Sequence, residues 1–150
     1  VYGINTVAAQ SIISHIGTTL KEFPTEHALA SWCGLCPGNN ESAGKRRSGK
    51  SPVHKHPFKE VMVEIAWSAI RKNGSYYKEK YYLLKTRRGA KRAIVAIAHS
   101  LLKGLYHIIK HGEAFVDIGV SHFREKKDAA KLCRLKKEAK KMGLELVASA

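Results

Sequence analysis

Ala93-Ile94-Val95-Ala96-Ile97-Ala98-His99-Ser100-Leu101-Leu102-Lys103-Gly104-Leu105-Tyr106-His107-Ile108-Ile109 is the longest apolar-periodic stretch in this chain of 150 residues. Ala93, Ile94, Ile97, Ala98, Leu101, Leu102, Leu105, Ile108 and Ile109 recur at helical spacing, with no competing alternation of period two. The stretch reads as one long helix that forms the spine of a core and stops at Gly112. Gly104 inside it costs about 1 kcal/mol against Ala, which a close helix approach would explain.

The flanking segments are helical too. Upstream, Thr86-Arg87-Arg88-Gly89-Ala90-Lys91-Arg92 is a basic turn. Before it, Ser75 caps a helix from Tyr76 to about Thr86, whose tyrosines Tyr76, Tyr77, Tyr81 and Tyr82 share a face suited to packing more than to base stacking. Pro57 opens the preceding helix. Val61, Met62, Ile65, Ala66 and Ile70 lie along it, and Asn73-Gly74 closes it. Downstream, a short apolar link around Phe115 and Phe123 leads into a basic helix from about Glu125 to Met142, with an apolar stripe of Ala129, Leu132, Cys133, Leu135 and Ala139. Near the N-terminus, Asn5 or Thr6 caps a helix stopped by Gly17, and Phe23-Pro24-Thr25 opens a short one with Ala28, Leu29 and Trp32 as its buried face. The expected class is all-α: a compact helical domain with a helix-hairpin-helix-like N-terminal element, a long basic loop, a short extended pair near that loop at most, and a basic C-terminal helix.

The helix-hairpin-helix reading rests on Gly3-Ile4-Asn5 before the first helix, where Gly3 and Asn5 would form a hairpin binding DNA phosphates through backbone N–H groups. Asn5, in place of the usual second glycine, still tolerates positive φ. An ordinary capped helix explains the same residues equally well. The opening Val1-Tyr2-Gly3 reads like a motif entered midway, as in a fragment of a longer protein.

Lys and Arg number 27 against 12 Asp and Glu, a net charge of +15. That imbalance favours a polyanionic partner, nucleic acid above all. No uninterrupted run of eighteen apolar residues is present, which argues against a membrane span. Three cysteines suggest no disulfide framework and a cytoplasmic setting. Cys33 and Cys36 form C-x-x-C, but His54 and His56 are spaced too closely for paired zinc ligands, so packing thiols suffice.

Between the second and third helices runs Gly34-Leu35-Cys36-Pro37-Gly38-Asn39-Asn40-Glu41-Ser42-Ala43-Gly44-Lys45-Arg46-Arg47-Ser48-Gly49-Lys50-Ser51. It has no apolar periodicity, so it is neither a core helix nor a core strand, and a loop of this length in a small domain is functional or disordered. Ser42 stands among small residues and is followed by Lys45, Arg46, Arg47 and Lys50, an arrangement that presents a hydroxyl to a phosphodiester.

Gly3-Ile4-Asn5, Phe23-Pro24, Leu29-Ala30-Ser31-Trp32-Cys33-Gly34-Leu35-Cys36-Pro37-Gly38-Asn39-Asn40-Glu41-Ser42-Ala43-Gly44-Lys45, Ala66-Trp67-Ser68-Ala69, Lys91 to His99 and Tyr106-His107 occur in an order that resembles the C-terminal transposase domain of the IS110/IS116/IS902 insertion-sequence family. The resemblance covers nearly the whole chain. It implies a prokaryotic, nucleoid-associated recombinase whose separate RuvC-like domain holds Mg²⁺ on acidic residues, with no cofactor in the present segment. It also implies DNA and a guide RNA as partners, the RuvC-like domain of the same protein as another, and a homo-oligomer at full length. The family's serine, which attacks the scissile phosphate, falls on Ser42. Lys45, Arg46, Arg47, Lys50, Lys59, Arg87, Arg88, Lys91 and Arg92, with Gly3 and Asn5, are the candidate nucleic-acid contacts. Members commonly carry Arg where this chain has Lys59, which lacks the bidentate fork. The rival reading is a basic helical module that holds DNA or RNA without catalysis.

Overall fold

The computed structural model describes residues 1–38, 40–48, 56–112, 114–117 and 119–144, with the backbone alone at 40–42, 46–48, 119–120, 122–124 and 126–127. Lys50, Ser51 and His54 lie outside the described residues. Among those described, the chain forms α1 (Thr6–Ile16), α2 (Glu26–Trp32), β1 (Asn40–Ser42), β2 (Lys45–Ser48), α3 (Pro57–Ala69), α4 (Tyr76–Arg88), α5 (Ala90–His111) and α6 (Gly119–Lys141). The class is all-α, interrupted by one small antiparallel hairpin.

Helix α5 is the spine. Ala93, Ile97, Leu101 and Leu105 make one buried row, and Ala98, Ile94, Leu102 and Tyr106 make the row beside it. Both advance by four residues, the ridge that packs into grooves of neighbouring helices. Helices α2, α3 and α4 all dock on α5, while α1 packs on α3 and α6 on α4. The stripe turns toward Tyr106 at its end, leaving Ile108 and Ile109 half-buried. By length and mean hydropathy, 1.2 over eighteen residues, α5 also qualifies as a candidate membrane span. Its apolar rows are already covered by three helices of the same chain.

Local chemistry sets the helix ends. Asn5 accepts from the Ala8 N–H at 2.8 Å, Thr25 from Ala28 at 3.1 Å and Ser75 from Tyr77 at 3.2 Å, each satisfying a donor the helix leaves open. Pro57 occupies the first turn of α3. Asn5 lies at φ −91°, in the extended region, so it does not take the left-handed conformation expected of a second hairpin glycine. Gly3 does, at φ +82°. A Cβ there would stand 2.5 Å from the Ile65 carbonyl oxygen and 3.0 Å from the Ala69 nitrogen, so the turn before α1 lies against the backbone of α3. An ordinary capped helix packed through a glycine therefore accounts for this element's geometry.

Other boundaries differ from the sequence expectation. Arg87 and Arg88 belong to the last turn of α4, and Lys91 and Arg92 to the first turn of α5, so the basic turn is a helix corner pivoting on Gly89. Tyr77 and Tyr81 enter the core, whereas Tyr82 is half exposed. Leu29 and Ala30 are the buried face of α2, while Trp32 is 40% exposed.

An acidic clamp fixes α2 to the spine. Glu26 lies 2.6 Å from Lys103 Nζ and 2.7 Å from His107 Nε2. The Tyr106 hydroxyl donates to the Pro24 carbonyl at 2.8 Å, and Lys110 donates to the same oxygen at 2.7 Å. The hydrogen bond from Lys103 leads the causes that hold the Glu26 carboxyl below its ordinary value, with His107 adding to it against the cost of burial. A carboxylate with a lowered folded pKa contributes stability above its unfolded pKa and loses it as the pH falls through the folded value. Glu26→Gln should therefore destabilise the domain by up to about 1 kcal/mol at neutral pH. Urea titrations should show that difference shrinking as the pH drops below the carboxylate range, and a constant difference would contradict the clamp.

Gly104 has a different setting from a tight helix crossing. A Cβ there would meet only the Tyr77 hydroxyl, at 3.8 Å, an ordinary contact. Gly104→Ala should therefore raise unfolding stability by about 0.5–1 kcal/mol through helix propensity, and a loss on urea titration would show a crowding that this spacing denies.

Candidate functional site

The segment carrying Ser42 leaves α2 through a cap with two reverse hydrogen bonds. Gly34 N–H donates to the Ser31 carbonyl and Leu35 N–H to the Ala30 carbonyl, both at 3.0 Å. This is the Schellman arrangement, and its apolar partner is present: Leu35 and Ala30 are both buried. The chain thus enters the segment from a fixed point. It returns at His56, just before α3, where the Trp32 ring meets the His56 ring at 4.3 Å and the Phe58 ring at 6.0 Å. Trp32 bridges the departure and return of the segment, which explains why an exposed tryptophan sits at the end of α2.

Within the segment, β1 and β2 pair antiparallel, Glu41 opposite Arg46 and Ser42 opposite Lys45. Asn40 then pairs with Ser48, so Arg47 is the extra residue of a bulge. Ala43 and Gly44, at φ 51° and 72°, are the two central residues of the turn. Positive φ at both positions is the type I′ geometry of a two-residue hairpin. Gly44 takes it freely, whereas Ala43 does so at a cost of about 1–2 kcal/mol. Ser42 is therefore the last strand residue before a tight, strained turn, with Lys45 exposed directly across from it.

A groove of about 500 Å³ lies between the facing halves of α4 and α5. Lys80, Arg87, Arg88, Lys91 and Arg92 line it together with His99, and among the described residues no carboxylate does. Leu35 and Pro37 also line it, so the groove meets the chain shortly before the serine hairpin begins at Asn40. Ser42 is five residues beyond Pro37, a reach of at most about 18 Å. Lys80 and His99 were not among the residues singled out in the sequence. Their signal was helical spacing, since Lys80, Leu84 and Arg87 follow one face of α4. Burial is the main cause that lowers the His99 pKa, aided by Lys103, His27 and Lys80, so its imidazole is neutral at pH 7.

The remaining candidates lie apart from the groove. Lys59 sits on the first turn of α3, near enough to Cys33 to influence its thiol. Gly3 and Asn5 belong to the turn before α1. Cys33 is a packing thiol: it is fully buried, desolvation pushes its pKa up to about 11, and its Sγ faces the Ala30 carbonyl at 3.5 Å. Cys36 is also raised by burial. Among the described residues, no group of three His, Cys, Asp or Glu side chains is placed to hold a metal.

A cation-lined groove on an all-α fold suits a polyanionic partner. Residues 1–82, more than half the chain, match the model of the transposase IS116/IS110/IS902 family, and the chain belongs to that family. DNA transposition is the process such a chain serves, and DNA is its partner. No curated protein and no solved structure matches the chain. The matched region takes in the hairpin and α3 and ends within α4, so the Arg87–Arg92 corner and all of α5 and α6 lie beyond it.

Phosphate contacts at the corner set a salt signature. Replacing Arg87, Arg88, Lys91 and Arg92 by Gln should flatten the slope of log K against log salt for duplex DNA by about 0.9 per lost contact. Fluorescence anisotropy between 50 and 200 mM salt measures it, and an unchanged slope would remove the corner from the interface.

Proposed function

We propose that this chain is the serine-supplying half of an insertion-sequence recombinase, with Ser42 attacking the scissile DNA phosphate. The observation that carries the proposal is the placement of Ser42 at the last strand position before the type I′ turn, opposite Lys45, in a hairpin that begins three residues after Pro37, a lining residue of the cationic groove. A turn of this kind holds its flanking residues at a protruding tip, where a hydroxyl can meet a phosphodiester. A tight turn with small residues also leaves room for the DNA backbone.

In the proposed step the Ser42 hydroxyl gives up its proton and forms an ester bond to phosphorus. The bond from phosphorus to one sugar oxygen breaks, and that oxygen leaves as a hydroxyl. Serine at its free pKa is a weak nucleophile and needs activation. Lys45, Arg46 and Arg47 on the second strand neutralise charge on the phosphate as it grows in the transition state. The corner residues Arg87, Arg88, Lys91 and Arg92 hold the flanking backbone. Lys50, Lys59 and the Gly3–Asn5 turn supply further backbone contacts in this reading.

The donor chemistry beside Ser42 does not suit a resident Mg²⁺, which prefers several oxygen ligands in octahedral array. Pro37 to Lys50 contain one carboxylate, Glu41, among four cations. The proposal therefore assigns Mg²⁺ to a separate RuvC-like domain of the same protein, and a guide RNA and a homo-oligomer to the complete assembly. The chain by itself is then expected to bind DNA without cutting it.

Denaturing gels of the complete recombinase with labelled DNA test the assignment. Wild-type protein should form a covalent protein–DNA adduct that maps to Ser42. Ser42→Ala should abolish it with DNA binding intact, while Ser48→Ala and Ser51→Ala should retain it. An adduct that survives Ser42→Ala would refute the assignment, and a non-catalytic binding module would give no adduct in any of these proteins.

A further inference from the structure

We infer that an aromatic cavity beside the cationic groove receives an unpaired base of the strand whose phosphates lie on the α4–α5 corner. The inference rests on the phosphate-groove reading and deepens it, from a backbone surface to a site for a single-stranded polynucleotide. The cavity holds about 550 Å³, within the usual range of small-ligand sites. Lys80 and Ser100 line both it and the cationic groove, so the two sites are neighbours along the α4–α5 seam.

The two neighbouring sites differ in chemistry as the phosphate and the base of a nucleotide do. At the corner the lining is cationic, with no carboxylate among the described residues. In the cavity Tyr76, Tyr77 and Phe115 supply aromatic surface. The Phe115 ring lies within 13° of parallel to the Tyr77 ring at 6.5 Å, and Tyr76 stands edge-on to Tyr77 at 5.5 Å. Ser100, Asp117 and His107 share that lining, with His107 Nε2 held by Glu26 and Ser100 Oγ by Lys80. Aromatic surface with a few polar groups is the recognition chemistry of a splayed-out base. At the junction Lys80 donates to Ser100 Oγ at 2.6 Å and holds its ammonium 5.2 Å from the Tyr76 ring centroid. A cation there lies where the backbone of a strand would pass from groove to cavity.

Gly104 opens the floor. It is the single glycine of α5, weakens that helix, and is not required by any close approach, since a Cβ would meet only the Tyr77 hydroxyl at 3.8 Å. A larger side chain would project into the cavity. A base within a duplex is stacked and cannot enter, so the occupant is unpaired.

The test uses anisotropy with ten-nucleotide probes at fixed salt: dT, rU, an abasic strand of equal charge, and a duplex. Wild-type protein should bind the dT or rU strand about 5- to 100-fold more tightly than the abasic strand, the span of one stacked base. A preference with both sugars or with either one supports the cavity, and the comparison shows whether the sugar matters. Phe115→Ala and Gly104→Leu should each erase most of that preference while duplex binding stays within about 2-fold, as expected where phosphate contacts are untouched. Equal binding of abasic and base-bearing strands by wild-type protein would overturn the inference without reference to any variant. It would do so too if an apolar chain segment were the true occupant. Duplex binding retained alongside that result would leave the phosphate groove standing, whereas loss of all binding would remove both.

Discussion

Two rows of small and branched side chains along α5 are the constraint on which everything else depends. Ala93, Ala98 and their larger neighbours at four-residue spacing let α2, α3 and α4 approach one helix from different sides. Truncating a fully buried member such as Leu102 would cost about 2–5 kcal/mol, a large share of the stability of a domain this size. The site depends on the same rows. The serine segment leaves α2 and returns to α3, both docked on α5, and the cationic groove is the seam between α4 and the first half of α5.

Charge is distributed around that frame in a way that separates structure from binding. Glu26 is spent on the clamp with Lys103 and His107. Among the described residues, the groove around Arg87, Arg88, Lys91 and Arg92 has no carboxylate to neutralise it. Lys91 and Arg92 even stand on the first turn of α5, where the helix dipole disfavours cations. Cations gathered against both the dipole and each other are relieved by an anion, and the DNA partner of a transposase-family chain is one.

Much of the helical frame was legible because its signals are local. Asn5, Thr25, Ser75 and Pro57 mark helix starts by chemistry that acts within one turn, and the α5 pattern survives without tertiary information. The hairpin was harder. Strands β1 and β2 bury no apolar face, so the alternation that normally betrays a strand is missing, and only the small Ala43-Gly44 pair hints at a two-residue turn. The corner was misread as a turn because a single glycine suffices to separate one helix from the next. Trp32 was expected inside on hydrophobicity alone, yet it lies over His56, a partner 24 positions away that no local pattern reveals. Gly104 was read as a crossing point, and only the neighbouring atoms showed it to be open space. The groove escaped because Lys80 and His99 come together with the corner only after α4 folds back on α5.

The central claim is that the serine hairpin and the Arg87–Arg92 corner address one and the same strand. Cross-linking mass spectrometry with a DNA strand carrying photoreactive 4-thiothymidines measures this most directly. The account predicts that a single bound strand yields cross-linked peptides both from the Pro37–Lys45 segment and from the α4–α5 corner, at thymidines a few nucleotides apart. Cross-links confined to α6, or to the corner with none in the hairpin segment, would contradict it.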